Sequence, residues 1–118
     1  MSFSERKIIF FKSYFQDFYI EQDGEARKKI AYTLNLIQKS ERVSEKFLKH
    51  LTGTAGIYEI RVSSSSNIYR ILCCFDEGNL VVLFNGFVKK TQKTPTREIA
   101  KAEKLKKEYF DEKGKCKK

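Results

Sequence analysis

The chain has 118 residues, 41% of them apolar and 14% aromatic, with ten phenylalanines and a formal net charge of +9. That is enough apolar chain for one modest core and too much for a disordered segment, and no apolar run approaches the roughly 20 residues of a membrane span. The charge is unevenly placed: residues 1–84 carry 12 Lys+Arg against 10 Asp+Glu, and residues 85–118 carry 12 against 5. A basic field concentrated in the last third favours a polyanionic partner, with nucleic acid first and an acidic protein second. Cys73, Cys74 and Cys116 are odd in number and two are adjacent, which is no disulfide framework, and with the single His50 they fit no zinc pattern. Lys12 and Asp17 interrupt the N-terminal apolar stretches, so no signal-peptide layout is present. The expectation is a cytoplasmic protein with reduced thiols.

In chain order, residues 7–12 read as a short buried strand with charged ends. Ser13 can cap a helical turn over 14–21, where Phe15, Phe18 and Tyr19 fall at helical spacing, and Asp23-Gly24 breaks it. A helix over about 25–39 places Ile30, Leu34 and Ile37 on one face, with Ala26 and Tyr32 nearby, and its first turns carry the basic patch Arg27, Lys28 and Lys29. A short helix is expected at about 44–49. From Gly53 the period changes to two: Ile57, Glu59, Arg61 and Ser63 share one face of a strand, and Tyr58, Ile60 and Val62 the other. Ser63–Ser66 with Asn67 forms a polar turn, 68–75 a second strand, Asp76-Glu77-Gly78-Asn79 a hairpin loop, and 80–88 a nearly all-apolar third strand, suited to a central place covered on both faces. Thr94-Pro95-Thr96 then sets a helix start, with Thr96 as N-cap and Glu98 in the dipole-favoured first turn, and this helix is expected to end near Phe110.

The predicted fold class is therefore α+β: a small antiparallel sheet, made of a three-stranded meander plus an N-terminal strand joining it non-locally beside the third meander strand. N-terminal helices lie over one face of it, and a C-terminal helix follows. Residues 1–112 are expected to form a single domain and the lysine-rich residues 113–118 a disordered tail.

Two clusters carry the candidate chemistry. Arg61 and Arg70 lie on adjacent strands, and a turn centred on Ser65 and Ser66 sets them opposite or nearly opposite each other. Like charges so placed are destabilising and call for a counter-anion: Glu59, a partner's carboxylate or a phosphate held bidentately. The plain alternative is a surface pairing of Arg61 with Glu59, Asp76 or Glu77. Lys89, Lys90 and Lys93 leave the end of the third strand, where they can hold a phosphate backbone or stabilise charge developing at phosphorus, or simply form a solvated face. No Gly-rich phosphate loop, His/Asp pair or nucleophile triad is present. His50 reads as a surface or helix-end histidine, and Cys73 and Cys74 as packing residues. Tyr58 and Tyr69 can stack on a base or donate a proton, or equally pack on the sheet.

The segments Gly56-Ile57-Tyr58-Glu59-Ile60-Arg61-Val62, Tyr69-Arg70-Ile71 and Asn85-Gly86-Phe87-Val88-Lys89-Lys90-Thr91-Gln92-Lys93-Thr94-Pro95 resemble the RelE/HigB toxins of type II toxin–antitoxin systems. The following Glu98-Ile99-Ala100-Lys101-Ala102 is similar to their phage-derived HigB-like branch. The resemblance spans about residues 7–110 and implies a RelE-like fold and a growth-inhibiting, metal-independent mRNA endoribonuclease. Such an mRNA interferase acts in the ribosomal A site, where the 2′-hydroxyl attacks the adjacent phosphate. It implies Arg61, Arg70, Lys89 and Lys90 as catalytic cations, and Lys93, Tyr58 and Arg97 as RNA-binding residues. Glu59, where RelE proper has a lysine, is the possible acid or base, and no C-terminal catalytic tyrosine or histidine is evident. The implied partners are mRNA, the ribosome and a cognate helix-turn-helix antitoxin, with no membrane, no metal and no small-molecule cofactor. The alternative is a non-catalytic toxin or binding module of the RelE/ParE fold: a gyrase poison, or a degenerate toxin that only binds RNA or its antitoxin.

Overall fold

A computed structural model describes residues 3–65 and 67–116. The elements run β1 (Lys7–Phe10), α1 (Tyr14–Ile20), α2 (Gly24–Lys39), β2 (Leu48–His50), β3 (Tyr58–Ser64), β4 (Asn67–Asp76), β5 (Leu80–Lys89) and α3 (Thr96–Cys116). The fold is mixed α+β around a five-stranded sheet of order β1-β5-β4-β3-β2. The expected antiparallel meander is its centre, and β1 joins non-locally beside β5, in parallel register from Lys7↔Leu80 to Phe10↔Leu83. The fifth strand, β2, stands where a short helix over 44–49 was expected. Phe47 and Leu48 donate to the Ser44 carbonyl in a single turn, and the chain then pairs with β3 from Leu48↔Ile60 to His50↔Tyr58. One turn is too short to hold itself as a helix, and the open edge of β3 supplies the competing partner.

Both faces of the sheet are covered, rather than the one face expected. On the first, α1 and α2 bring Phe15, Phe18, Ala26, Ile30 and Ile37 onto Ile60, Val62, Tyr69, Ile71 and Leu83. On the second, α3 brings Ala102 and Leu105 onto Ile57, Leu72, Cys74, Val82 and Phe84. β5 runs between them, and its apolar side chains Val81 to Phe84 are buried, as the nearly all-apolar run of 80–88 requires. Each such side chain contributes about 1.5–3 kcal/mol by leaving water. β1 is an exposed edge, not a buried strand: Ile9 and Phe10 are 38% and 43% accessible.

α1 ends at Ile20 with Glu21 as its C-cap, and Asp23 starts α2, its carboxylate accepting from the Ala26 N–H at 2.8 Å. Ser13 does not cap α1; its hydroxyl donates to Asp17 instead. At α3, the Pro95 carbonyl accepts from the Glu98 and Ile99 N–H groups, and Thr96 is already helical. α3 continues to Cys116, past the boundary expected near Phe110 and into the expected tail. Lys113 lies on the helix and donates to Asp76 (2.7 Å) and Glu77 (2.6 Å), while residues 117–118 lie outside the described residues. Among the described residues no helix is long and apolar enough to cross a membrane.

One irregularity sets the phase of the site. Between Ile71↔Gly86 and Cys73↔Leu83, Leu72 alone opposes both Phe84 and Asn85, so β5 carries a bulge. Phe84 packs towards α3, and Asn85 also reaches that side, where its amide donates to the carbonyl (3.2 Å) and carboxylate (2.9 Å) of Glu98. Beyond the bulge the alternation resumes one residue out of step: Gly86 abuts Phe18, and Phe87 and Lys89 face the α3 side with Arg70.

Candidate functional site

Arg61 and Arg70 are directly paired across β3 and β4. Period two puts both on the α3 face with Glu59, and pairing with β2 sets Lys49 directly opposite Glu59. Glu59 is the centre of the cluster, its side chain only 2% accessible. Arg61 Nε donates to its Oε1 at 3.0 Å, and Thr94 Oγ1 donates to its Oε2 at 2.6 Å. Arg70 Nε lies 3.5 Å from the same Oε1, an ion-pair contact without the alignment of a hydrogen bond. Arg70 Nη1 donates to the Tyr69 carbonyl at 3.0 Å, and Arg61 Nη1 reaches the Glu45 carbonyl at 3.4 Å. The counter-anion that the like-charged pair requires is thus internal.

The cations stand at different depths. The Arg70 side chain is 10% accessible and forms the floor; that of Arg61 is 29% accessible and forms a wall. Burial pushes the Arg70 pKa down, Glu59 acts against this, and the neighbouring Arg61 charge adds to it. The Lys89 pKa is also lowered, first by burial, then by the Arg70 charge, with Arg61 and Lys49 acting the same way and Glu59 opposing. Several cations therefore share one carboxylate in a space that disfavours more positive charge, the electrostatic condition for capturing an anion.

Two open concavities meet at Lys89. One is lined by Lys49, Glu59, Arg61, Lys89, Lys93 and Thr94. The other is lined by Arg70, Lys89, Lys90 and Gln92 and contains no carboxylate. Of the residues singled out in the sequence, Glu59, Arg61, Arg70, Lys89, Lys90 and Lys93 come together. Tyr58 does not: it lies on the opposite face, edge-on to Phe75 (5.0 Å) and His50 (5.1 Å). Tyr69 is buried in that same core and meets Phe18. Arg97 stands outside the concavities in the first turn of α3, 87% accessible, with a 4.0 Å contact to Glu98. Cys73 and Cys74 are buried packing residues, and burial raises both thiols, that of Cys74 to about 11. Sequence reasoning missed Thr94 and Lys49. The signal for Lys49 was the strand β2, hidden by the helix-like spacing of Phe47, Leu48 and Leu51.

The site is therefore a cluster of cations around one buried carboxylate, on the α3 face of a five-stranded mixed sheet. The family model "Phage derived protein Gp49-like (DUF891)" matches residues 17–107, and the chain belongs to that family, a toxin–antitoxin-type family related to RelE. No curated protein matches the chain.

Proposed function

We propose that this protein is the toxin of a type II toxin–antitoxin pair, of the HigB-like branch, and acts as a metal-independent endoribonuclease on mRNA in the ribosomal A site. The observation that carries this reading is the register Arg61↔Arg70 with Lys89 on the same face, around one buried carboxylate. In the reaction the substrate's own 2′-hydroxyl attacks the adjacent phosphorus and loses its proton. The P–O5′ bond breaks, and the leaving oxygen takes a proton, giving a 2′,3′-cyclic phosphate and a 5′-hydroxyl. Arg70 on the floor and Arg61 on the wall donate to the non-bridging oxygens, whose charge grows in the transition state, and Lys89 adds charge at the rim. Lys90 and Lys93 hold flanking phosphates, and the ribosome aligns the reacting atoms. Glu59 aims both guanidiniums. Its two oxygens are engaged by Arg61 and Thr94, so service as a base requires release of the Thr94 hydroxyl. The partner implied is a helix-turn-helix antitoxin that covers or distorts this groove.

Induced expression is expected to arrest growth and to cut translated mRNA within codons. Arg70→Ala is expected to abolish both while the protein remains folded, and Lys89→Ala with Lys90→Ala to weaken ribosome or RNA binding and flatten its salt dependence. The contact of both arginines with Glu59 is the observation that favours the alternative, a toxin that binds without cutting. Growth arrest with intact mRNA, or with inhibited supercoiling, would decide for it.

A further inference from the structure

A third concavity, of about 280 Å³, opens beside the arginine pair. It lies where the edge of β3 opposite β4 has no strand pairing beyond Ile60, next to Arg61, whose N–H donates to the Phe47 carbonyl. Arg61 and Arg70 line it together with Lys29, Tyr32, Lys46, Phe47 and Ile68, among others. Three features distinguish it from ordinary surface. Tyr32 sits on α2 with 64% of its area in water, and Ile68 is 41% accessible, so an aromatic and an aliphatic surface lie open beside cations. Arg27, Lys28 and Lys29 follow one another in α2 where helix electrostatics offers them nothing. The carboxylate nearest them in sequence, Glu25, accepts from Ser65 Oγ at 2.9 Å and is tied to the hairpin turn.

Resting on the RNA reading above, we propose that this cleft is a nucleotide-binding subsite for single-stranded RNA next to the phosphate held by Arg61 and Arg70. A base stacks on Tyr32 over the apolar floor of Phe47 and Ile68, and its phosphate is held by Lys29 and Lys46. Arg70 also lines the concavity of Lys89 and Lys90, and Arg61 that of Lys49 and Lys93, so a strand crossing the arginines has one flank over Lys89 and Lys90 and the other in this cleft. Aromatic faces interleaved with a cationic track are what sequence-tolerant binding of single strands uses. An acidic peptide would satisfy the lysines but leave the ring without a stacking partner, so RNA is the better fit.

The test titrates the folded protein against a labelled, fully 2′-O-methylated RNA oligonucleotide, which cannot be cut, by fluorescence anisotropy at several salt concentrations. Tyr32→Ala is expected to weaken binding about tenfold or more, and Tyr32→Phe to retain it. Lys29→Ala with Lys46→Ala is expected to reduce the magnitude of the log–log salt slope by about 0.7, one single-strand phosphate contact. Wild-type affinity in Tyr32→Ala and in the lysine variant overturns the proposal, as does no wild-type binding up to about 100 μM, the weak end of sequence-independent binding. So does protection of Tyr32 by an acidic antitoxin peptide where RNA gives none. If the wild type cuts mRNA while binding ignores Tyr32, the subsite falls and the nuclease stands. If binding depends on Tyr32 while no message is cut, the subsite stands and the nuclease falls.

Discussion

Replacing Glu59 tests whether the arginine pair is held by its internal counter-anion. Glu59→Ala removes the hydrogen bonds from Arg61 and Thr94 and the ion-pair contact with Arg70. What remains is a guanidinium 10% accessible beside a second like charge. Removing one partner of a buried pair costs about 3–5 kcal/mol, because the survivor is left buried and uncompensated. Arg61, 29% accessible, can rehydrate, which puts the expected loss near the lower end, about 3 kcal/mol. For a domain of this size that is a fall of roughly 12 °C in Tm. Glu59→Gln keeps volume and one acceptor and is expected to fall about half as far. In a double-mutant cycle, Thr94→Val is expected to couple to Glu59→Ala but not to a distant control such as Lys113→Ala. Replacing Glu59, Arg61 and Arg70 together by apolar residues of similar volume is expected to recover much of the loss. Thermal melts followed by circular dichroism measure all of these. A Glu59→Ala variant melting within about 2 °C of the wild type would refute the view that this carboxylate neutralises the floor of the site.

Two further outcomes follow from packing and titration. A Cβ on Gly86 would stand 2.5 Å from Phe18 Cδ2 and 2.8 Å from two more ring atoms. Gly86→Ala is therefore expected to destabilise the protein by about 1–3 kcal/mol, with partial rescue by Phe18→Leu, read from the same melts. The Tyr109 hydroxyl donates to Asp76 at 2.7 Å, and burial, then that bond, pushes its pKa up to about 12 from 10.0. The folded state holds this proton longer than the unfolded one, so the contribution is whole below pH 10 and disappears as pH rises through about 12. Solvent screening limits it to about 1 kcal/mol. In an absorbance titration at alkaline pH, the tyrosine ionisation near pH 12 should vanish in Tyr109→Phe; an unchanged curve would contradict the assignment.

Local periodicity carried most of the architecture. The alternation through Tyr58–Val62 put Glu59 and Arg61 on one face, and the position of the Ser-rich turn set Arg61 opposite Arg70. The composition of 80–88 placed β5 between neighbours on both sides. What escaped depended on distant partners. Nothing within residues 44–49 states that β3 has a free edge, so β2 and with it Lys49 were read as helix. Tyr58 shares the parity of Ile60 and Val62 and packs against the opposite core, away from the cations, which its aromatic character alone does not reveal. Lys113 was assigned to a tail because its anchors, Asp76 and Glu77, lie in another hairpin. Thr94 was noticed only as part of a helix start, since its hydroxyl acts on a carboxylate 35 residues away.

The extra residue in β5 bears on how this chain can change length over generations. Strict alternation from Leu83 would have turned Lys89 towards α1 and α2 and offered Val88 to the arginines. Loss of Asn85 would straighten the strand yet keep Phe87 and Lys89 on the α3 side, giving up the tie to Glu98. Loss of one residue between 86 and 88 would rotate Lys89 away from Arg70. Positions 84–85 are thus where the strand can lose a residue with its cation cluster kept together. A loss of one residue just beyond them, with the bulge retained, separates Lys89 from the arginines and leaves the core of Val81 to Phe84 in place.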